Sequence, residues 1–164
     1  GEAAFDVALC ALGLMYMPDP VRAMEVTRQA LRPGGRAVAA VWGQRKACGW
    51  AGVFPIVDAR VASDVCPMFF NLGTGEALET VFHEAGFESV RSERLSYALR
   101  FDGPKQACGA ALVGGPVALA YARFDEATRE GARKEYLDSI AAHRVNGHYE
   151  IPGEFVITQG VVPH

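Results

Sequence analysis

The sequence predicts an α/β fold built on a parallel sheet, on three observations. Phe5 to Tyr16, FDVALCALGLMY, is a nearly continuous apolar run that reads as a strand buried on both faces. A segment punctuated as a helix follows it, and a second apolar strand, Arg36 to Trp42, follows that. Strand, helix and strand in close succession make a βαβ unit, whose crossover is right-handed.

In the connecting helix, Asp19 is placed to cap and Pro20 suits the first helical position. Val21, Met24, Arg28 and Leu31 fall on one stripe, and Gly34-Gly35 follow a stop near Leu31 or Arg32. Within RAVAAVW, Val38, Ala40 and Trp42 share a face. From Gly43 to Gly73 the pattern gives way to glycines, prolines and aromatics. We read this stretch as an insertion or lid, with a short helix over 53–61 in which Phe54, Val57 and Val61 recur at helical spacing.

Thr74 to Ala85 reads as a helix capped by Thr74, with Leu78, Val81, Phe82 and Ala85 as its buried stripe and Gly86 as its stop. Leu95, Tyr97, Leu99 and Phe101 alternate with other residues, which predicts a strand near a sheet edge with one face toward solvent. Two short helical pieces, opened by Pro104 and Pro116, are separated by Gly114-Gly115. Asp125 then caps a helix over 126–144, whose stripe includes Tyr136, Leu137, Ile140 and Ala141, and Glu154 to Val162 is the last strand. The expectation is one domain over 1–164, with the insertion at 43–73 and a helical segment at 103–145.

Composition excludes several function classes. The chain has 164 residues, half of them apolar, and 16 Lys and Arg stand against 19 Asp and Glu, so there is no cationic excess to neutralise nucleic acid phosphates. No apolar run approaches the roughly eighteen residues of a membrane span, and no secretion signal opens the chain, which predicts a cytoplasmic protein with no membrane partner. Cys10, Cys48, Cys66 and Cys108 are too far apart for a zinc pair or a disulfide framework and read as free thiols. His83 reads as a solvent or boundary residue, and His143, His148 and Tyr149 bracket the Asn146-Gly147 turn as a loose polar cluster. No metal site and no local signature of covalent catalysis is expected.

The run FDVALCALGLMYMPDPVRAMEVTRQALRPGGRAVAAVW resembles the second half of a class I S-adenosylmethionine-dependent methyltransferase. EALETVFHEAGFESVRSERLSYALRF resembles that family's next helix and strand, and EIPGEFVITQGV its closing antiparallel strand. The resemblance implies a partial Rossmann-like sheet of about four strands, the last antiparallel, with flanking helices and a helical insertion. It also implies S-adenosylmethionine as cofactor and a small molecule as methyl acceptor. Ala11, Leu12 and Gly13 then lie where the family's backbone approaches the methionine part of the cofactor. Tyr16, Trp42, Trp50, Phe54, Phe69 and Phe70 become the candidate substrate pocket, an apolar lid in which no side chain is assigned a catalytic role.

The family's glycine-rich loop, its ribose-binding acid and its adenine-side polar residue have no counterpart in the sequence. Gly34-Gly35 ends a helix and Gly114-Gly115 separates two helical pieces, so neither follows a strand and opens a helix. The chain alone is therefore expected to be inactive, as a truncated family member lacking its N-terminal cofactor-binding half. The alternative is a non-catalytic methyltransferase-like module for dimerisation or ligand binding. Either way the apolar first strand exposes an edge, which predicts a homodimer through that strand or pairing with the missing half of a longer protein.

Overall fold

A computed structural model describes residues 3–61 and 69–164. Cys66 and part of the 43–73 insertion lie outside the described residues. The elements are β1 (Phe5–Ala11), α1 (Pro20–Ala30), β2 (Leu31–Trp42), α2 (Val53–Asp58), α3 (Ala77–Glu84), β3 (Glu88–Phe101), α4 (Pro104–Cys108), α5 (Ala118–Tyr121), α6 (Glu126–Ser139), β4 (Arg144–Val145) and β5 (His148–Val161). The strands form a mixed five-stranded sheet of order β1-β2-β5-β3, with β4 paired to β5. The chain groups into two compact units, one of Gly1–Gln44, Met68–Ser96 and Glu154–His164, the other of Arg45–Pro67 and Tyr97–Gly153.

In the first unit the predicted βαβ is present. Asp19 accepts from the Arg22 backbone N–H at 2.8 Å and Pro20 occupies the first turn, as their chemistry requires. β1 runs parallel to β2 from Val7 opposite Arg36 to Ala11 opposite Ala40. β5 runs antiparallel along the other side of β2, from Arg36 opposite Val161 to Trp42 opposite Phe155. Alternation along β2 buries Ala37, Ala39 and Val41, while Val38, Ala40 and Trp42 share the half-buried face. α1 and α3 are joined where the Arg28 Nε–H donates to the Ala85 carbonyl at 2.8 Å, satisfying an end-of-helix acceptor next to Gly86, whose φ of 81° makes the stop. The Ser92 and Thr158 hydroxyls, 2.6 Å apart, link β3 to β5, with Thr158 fully buried.

The structure corrects several sequence expectations. β1 stands at the end of the strand order, as expected of the apolar first strand, but it is not buried on both faces: Phe5, Val7 and Leu9 are 61%, 63% and 72% exposed. It also ends at Ala11, because Leu12 takes a left-handed φ of 56° and Leu14–Tyr16 close into a 3₁₀ turn. Thr74 does not cap the following helix, since its hydroxyl donates to the Phe70 carbonyl at 2.9 Å, and α3 begins only at Ala77. β3 lies at the sheet edge as predicted, but Leu95 and Tyr97 are exposed, and of the predicted apolar face only Leu99 and Phe101 are partly covered.

In the second unit Asp125 caps α6, its Oδ1 accepting from the Thr128 N–H at 2.8 Å. Ala132, Tyr136 and Ile140 form the buried stripe, while Leu137 is only half-buried. α6 stops at Ser139 rather than 144, because the chain turns through a short 3₁₀ segment into the β4–β5 hairpin. Asn146 (φ 47°) and Gly147 (φ 90°) make that hairpin's turn, so β5 starts at His148 instead of Glu154. α2 is tied to α6 by the Arg60–Glu135 pair, at 2.5 Å and 3.1 Å.

The cap has a pH consequence. Hydrogen bonds from Thr128 hold the Asp125 carboxyl below its ordinary pKa. Its contribution is therefore present in full above the ordinary carboxylate range and is lost as pH falls through the depressed value. Thermal melts between pH 6 and pH 2.5, taken roughly across the carboxylate range, should show Asp125→Asn losing less stability with acid than the parent. Parallel acid limbs would contradict this.

Candidate functional site

The carboxyl ends of β1 and β2 carry the sequence-predicted cofactor segment, in the position where open α/β sheets place their ligands. Ala11 is exposed and Leu12 and Gly13 are half-buried. Leu12 keeps its N–H bonded to the Ala40 carbonyl at 2.8 Å while its φ of 56° swings the chain away from the sheet. A left-handed leucine is an unfavourable backbone state, and such states concentrate at functional turns. Gly13 itself has an ordinary negative φ. A Cβ there would meet the Cys10 Sγ at 3.2 Å, so the glycine leaves room for the thiol and keeps the strand end open.

Of the six predicted pocket residues, four belong to the first unit. The Tyr16 ring meets the edge of Phe69 at 5.6 Å, and Phe69 meets Phe70 at 5.2 Å, which makes a continuous aromatic row. Partial burial raises the Tyr16 phenol above its ordinary pKa, so it stays protonated at neutral pH. Trp42 stacks on Phe155 at 4.4 Å, a partner that no sequence pattern singles out. Trp50 and Phe54 belong to the second unit, where both are buried with ring centroids 6.0 Å apart. They form part of that unit's apolar core.

Sequence reasoning misses the polar clamp at this end of the sheet. Arg94 Nη1 lies 3.0 Å from both Glu154 Oε1 and the Gly73 carbonyl, and its other nitrogen donates to the Gly75 carbonyl. Glu154 also accepts from the Gln44 N–H at 2.9 Å, and its carbonyl accepts from the Gly43 N–H at 2.6 Å. The clamp borders a cavity of about 220 Å³ lined by Gly75, Glu76, Leu78, Glu79, Ser92, Arg94 and Val156. Two glycines permit this closeness: a Cβ on Gly43 would overlap the Glu154 carboxylate, and one on Gly73 would overlap the Trp42 carbonyl oxygen. A search for arginine and glutamate at matching ends of adjacent strands finds the pair, but only once the strand order is known.

The remaining candidates carry little chemistry. His83 is exposed beside Glu79, and His148 lies 2.9 Å from Glu150. Cys10 and Cys108 are free thiols. Among the described residues no group of three or more His, Cys, Asp and Glu is placed to hold a metal ion, and no helix is long and apolar enough to cross a membrane.

No family model and no curated protein sequence matches the chain. Solved structures do match it. A methyltransferase assigned to an antibiotic biosynthesis pathway of Anabaena variabilis superposes with TM-score 0.56 at 14% identity, over 96% of this chain and 67% of its own length. A protein of Bacillus halodurans classed as a methyltransferase gives TM-score 0.53 at 13% identity, over 99% of this chain and 66% of its own. Phosphoethanolamine N-methyltransferase 2 of Haemonchus contortus, in complex with phosphomonomethylethanolamine and S-adenosylhomocysteine, gives 0.50 at 14%, over 100% and 34%. The chain thus spans between one third and two thirds of the length of these structures. It has the Rossmann-like fold of these methyltransferases, a mixed sheet of five strands with flanking helices.

Proposed function

We propose that this chain is part of an S-adenosylmethionine-dependent methyltransferase acting on a small molecule, and that it forms the C-terminal half of that enzyme. The observation that carries the reading is the strand order β1-β2-β5-β3 with β5 antiparallel, in a fold shared with methyltransferases. The second part is supported by β1, a parallel strand that leaves three large apolar side chains exposed and has no partner strand on its outer edge among the described residues.

In this reading the backbone of Ala11, Leu12 and Gly13 lies along the methionine end of the cofactor. The fit is one of backbone access, since the left-handed turn at Leu12 and the missing Cβ at Gly13 leave the strand end open. When bound, the cofactor supplies an electrophilic methyl group on a sulfonium. The chain's own residues contribute orientation more than acid or base chemistry. Tyr16, Phe69 and Phe70 form an apolar wall that excludes water from the acceptor side, with Trp42 on Phe155 at the end of β2. The protonated Tyr16 hydroxyl is available to donate a hydrogen bond to the acceptor.

Calorimetric titration with S-adenosylhomocysteine tests the proposal. Because the sequence holds no glycine-rich strand-to-helix loop, the expected dissociation constant is weak, on the order of 1 mM. The melting temperature should rise with ligand concentration as linkage requires. No saturable heat and no thermal shift up to about ten times that concentration would overturn it.

The open β1 edge yields a second expectation. We propose that the free chain pairs with a second copy of itself through β1, occupying the edge where the rest of the sheet would continue. Light scattering at micromolar concentration should report a dimer, and Leu9→Lys, which places a charge on a residue now 72% exposed, should shift it to monomer. A monomeric parent chain would contradict this.

A further inference from the structure

The second unit contains a cavity of about 530 Å³ that the methyltransferase reading does not use. It is walled by α4, the turn that follows it, Tyr121 of α5, and α6, and its lining includes Lys105, Gly109, Val113, Tyr121, Arg133 and Leu137. Three observations converge on it. The lining is largely apolar, yet its two charged side chains, Lys105 and Arg133, are both cations. Arg133 is paired with Glu126 at 3.0 Å, and that one carboxylate is shared with Arg129, so positive charge remains in excess.

The second observation is Tyr121. It is 5% exposed, and its buried hydroxyl lies beside the Arg133 guanidinium, which acts on it by charge and as a hydrogen-bond donor, while the hydroxyl proton has no acceptor among the described residues. A guanidinium only donates, so the buried hydroxyl's own proton is left without an acceptor, which is costly and calls for an explanation. The guanidinium carbons of Arg129 and Arg133 lie 5.7 Å and 6.0 Å from the ring centroid, which holds the ring in place. The third is the backbone of the wall: Gly109–Val113 form a π-helical turn, a rare geometry that recurs at functional sites. A Cβ on Gly109 would meet nothing within 4 Å.

We propose that this cavity binds a small amphiphilic anion, an apolar chain or ring bearing one carboxylate. Arg133 and Lys105 face the carboxylate, the Tyr121 hydroxyl donates to it, and the apolar body lies along Val113 and Leu137. The volume is within the range of small-molecule sites. Cys108 belongs to the apolar part of the wall, because burial pushes its thiol above the ordinary pKa and keeps it neutral. The site lies wholly within the second unit and stands whether or not the chain serves methyl transfer.

Calorimetry of the full chain with sodium octanoate tests the inference, with octanamide as the neutral isostere. Octanoate should saturate a single site with a dissociation constant below about 1 mM, and octanamide should bind at least about tenfold more weakly. Tyr121→Phe, which removes only the hydroxyl, should weaken octanoate about 5- to 20-fold with an unchanged circular dichroism spectrum. Gly109→Trp, which projects an indole into the open space, should abolish binding, and if that variant does not fold, Tyr121→Phe decides alone. Three results would overturn the proposal: no saturable octanoate binding by the parent, equal affinity for octanamide, or full affinity in folded Tyr121→Phe or Gly109→Trp protein.

Discussion

Replacing Gly73 by alanine is expected to destabilise the first unit by about 3 kcal/mol or more, the upper end of what overpacking costs. The new Cβ would overlap the Trp42 carbonyl oxygen and come within 2.8 Å of the Gly43 carbonyl group. All of these are main-chain atoms at the end of a paired strand, so no side-chain rotation relieves the clash. Either the 70–75 turn or the end of β2 must move. Gly75 is the internal control: it has φ 55° with nothing within 4 Å of an added Cβ, so Gly75→Ala should cost only about 1 kcal/mol of backbone strain. Urea denaturation of both variants checks the pair, and equal losses would show that packing at Gly73 is not the reason for its glycine.

Arg94→Leu should be the next most damaging change, at about 2–3 kcal/mol. It removes the cation beside Glu154, whose side chain is only 16% exposed, and takes the donor from the carbonyls of Gly73 and Gly75. Arg94→Lys should recover only part of the loss, because one ammonium does not reproduce the planar fork that reaches a carboxylate and two carbonyls together. In the Glu154→Gln background the Arg94→Leu penalty should shrink, since less charge is left uncompensated. A loss below about 0.5 kcal/mol would place the clamp among ordinary surface ion pairs.

These two sites show where sequence reading stops. The βαβ start is legible because its signals are local: Asp19 caps a residue three positions on, Pro20 presets the first turn, and apolar runs flank the helix. Asp125 and the Asn146-Gly147 turn are legible for the same reason. The Arg94–Glu154 pair is not, because its members are 60 residues apart and meet only through the insertion of β5 between β2 and β3. The need for glycine at positions 43 and 73 likewise comes from neighbours that approach through space. Thr74 carries a true capping signal, but its hydroxyl is taken by the Phe70 carbonyl. For the candidate cofactor segment, position is readable at Ala11, Leu12 and Gly13. The special conformation is not: glycine is the obvious residue for an unusual φ, and the leucine beside it holds one.

The apolarity of β1 is equally plain in the sequence, and its environment is not. Phe5, Val7 and Leu9 have the composition of a strand covered on both faces, yet in this chain they are largely exposed. Hydrophobic pattern reports what a strand is suited to pack against, and strand order decides what is there.

Whether the strand-end segment holds the cofactor is decided by a backbone amide NMR titration of the chain with S-adenosylhomocysteine. Saturable shifts should concentrate at Ala11, Leu12 and Gly13 and continue to Tyr16, with the β4–β5 hairpin unaffected. Shifts confined to other residues, or none at concentrations of about 10 mM, well above the expected dissociation constant, would contradict the proposal that this chain serves methyl transfer.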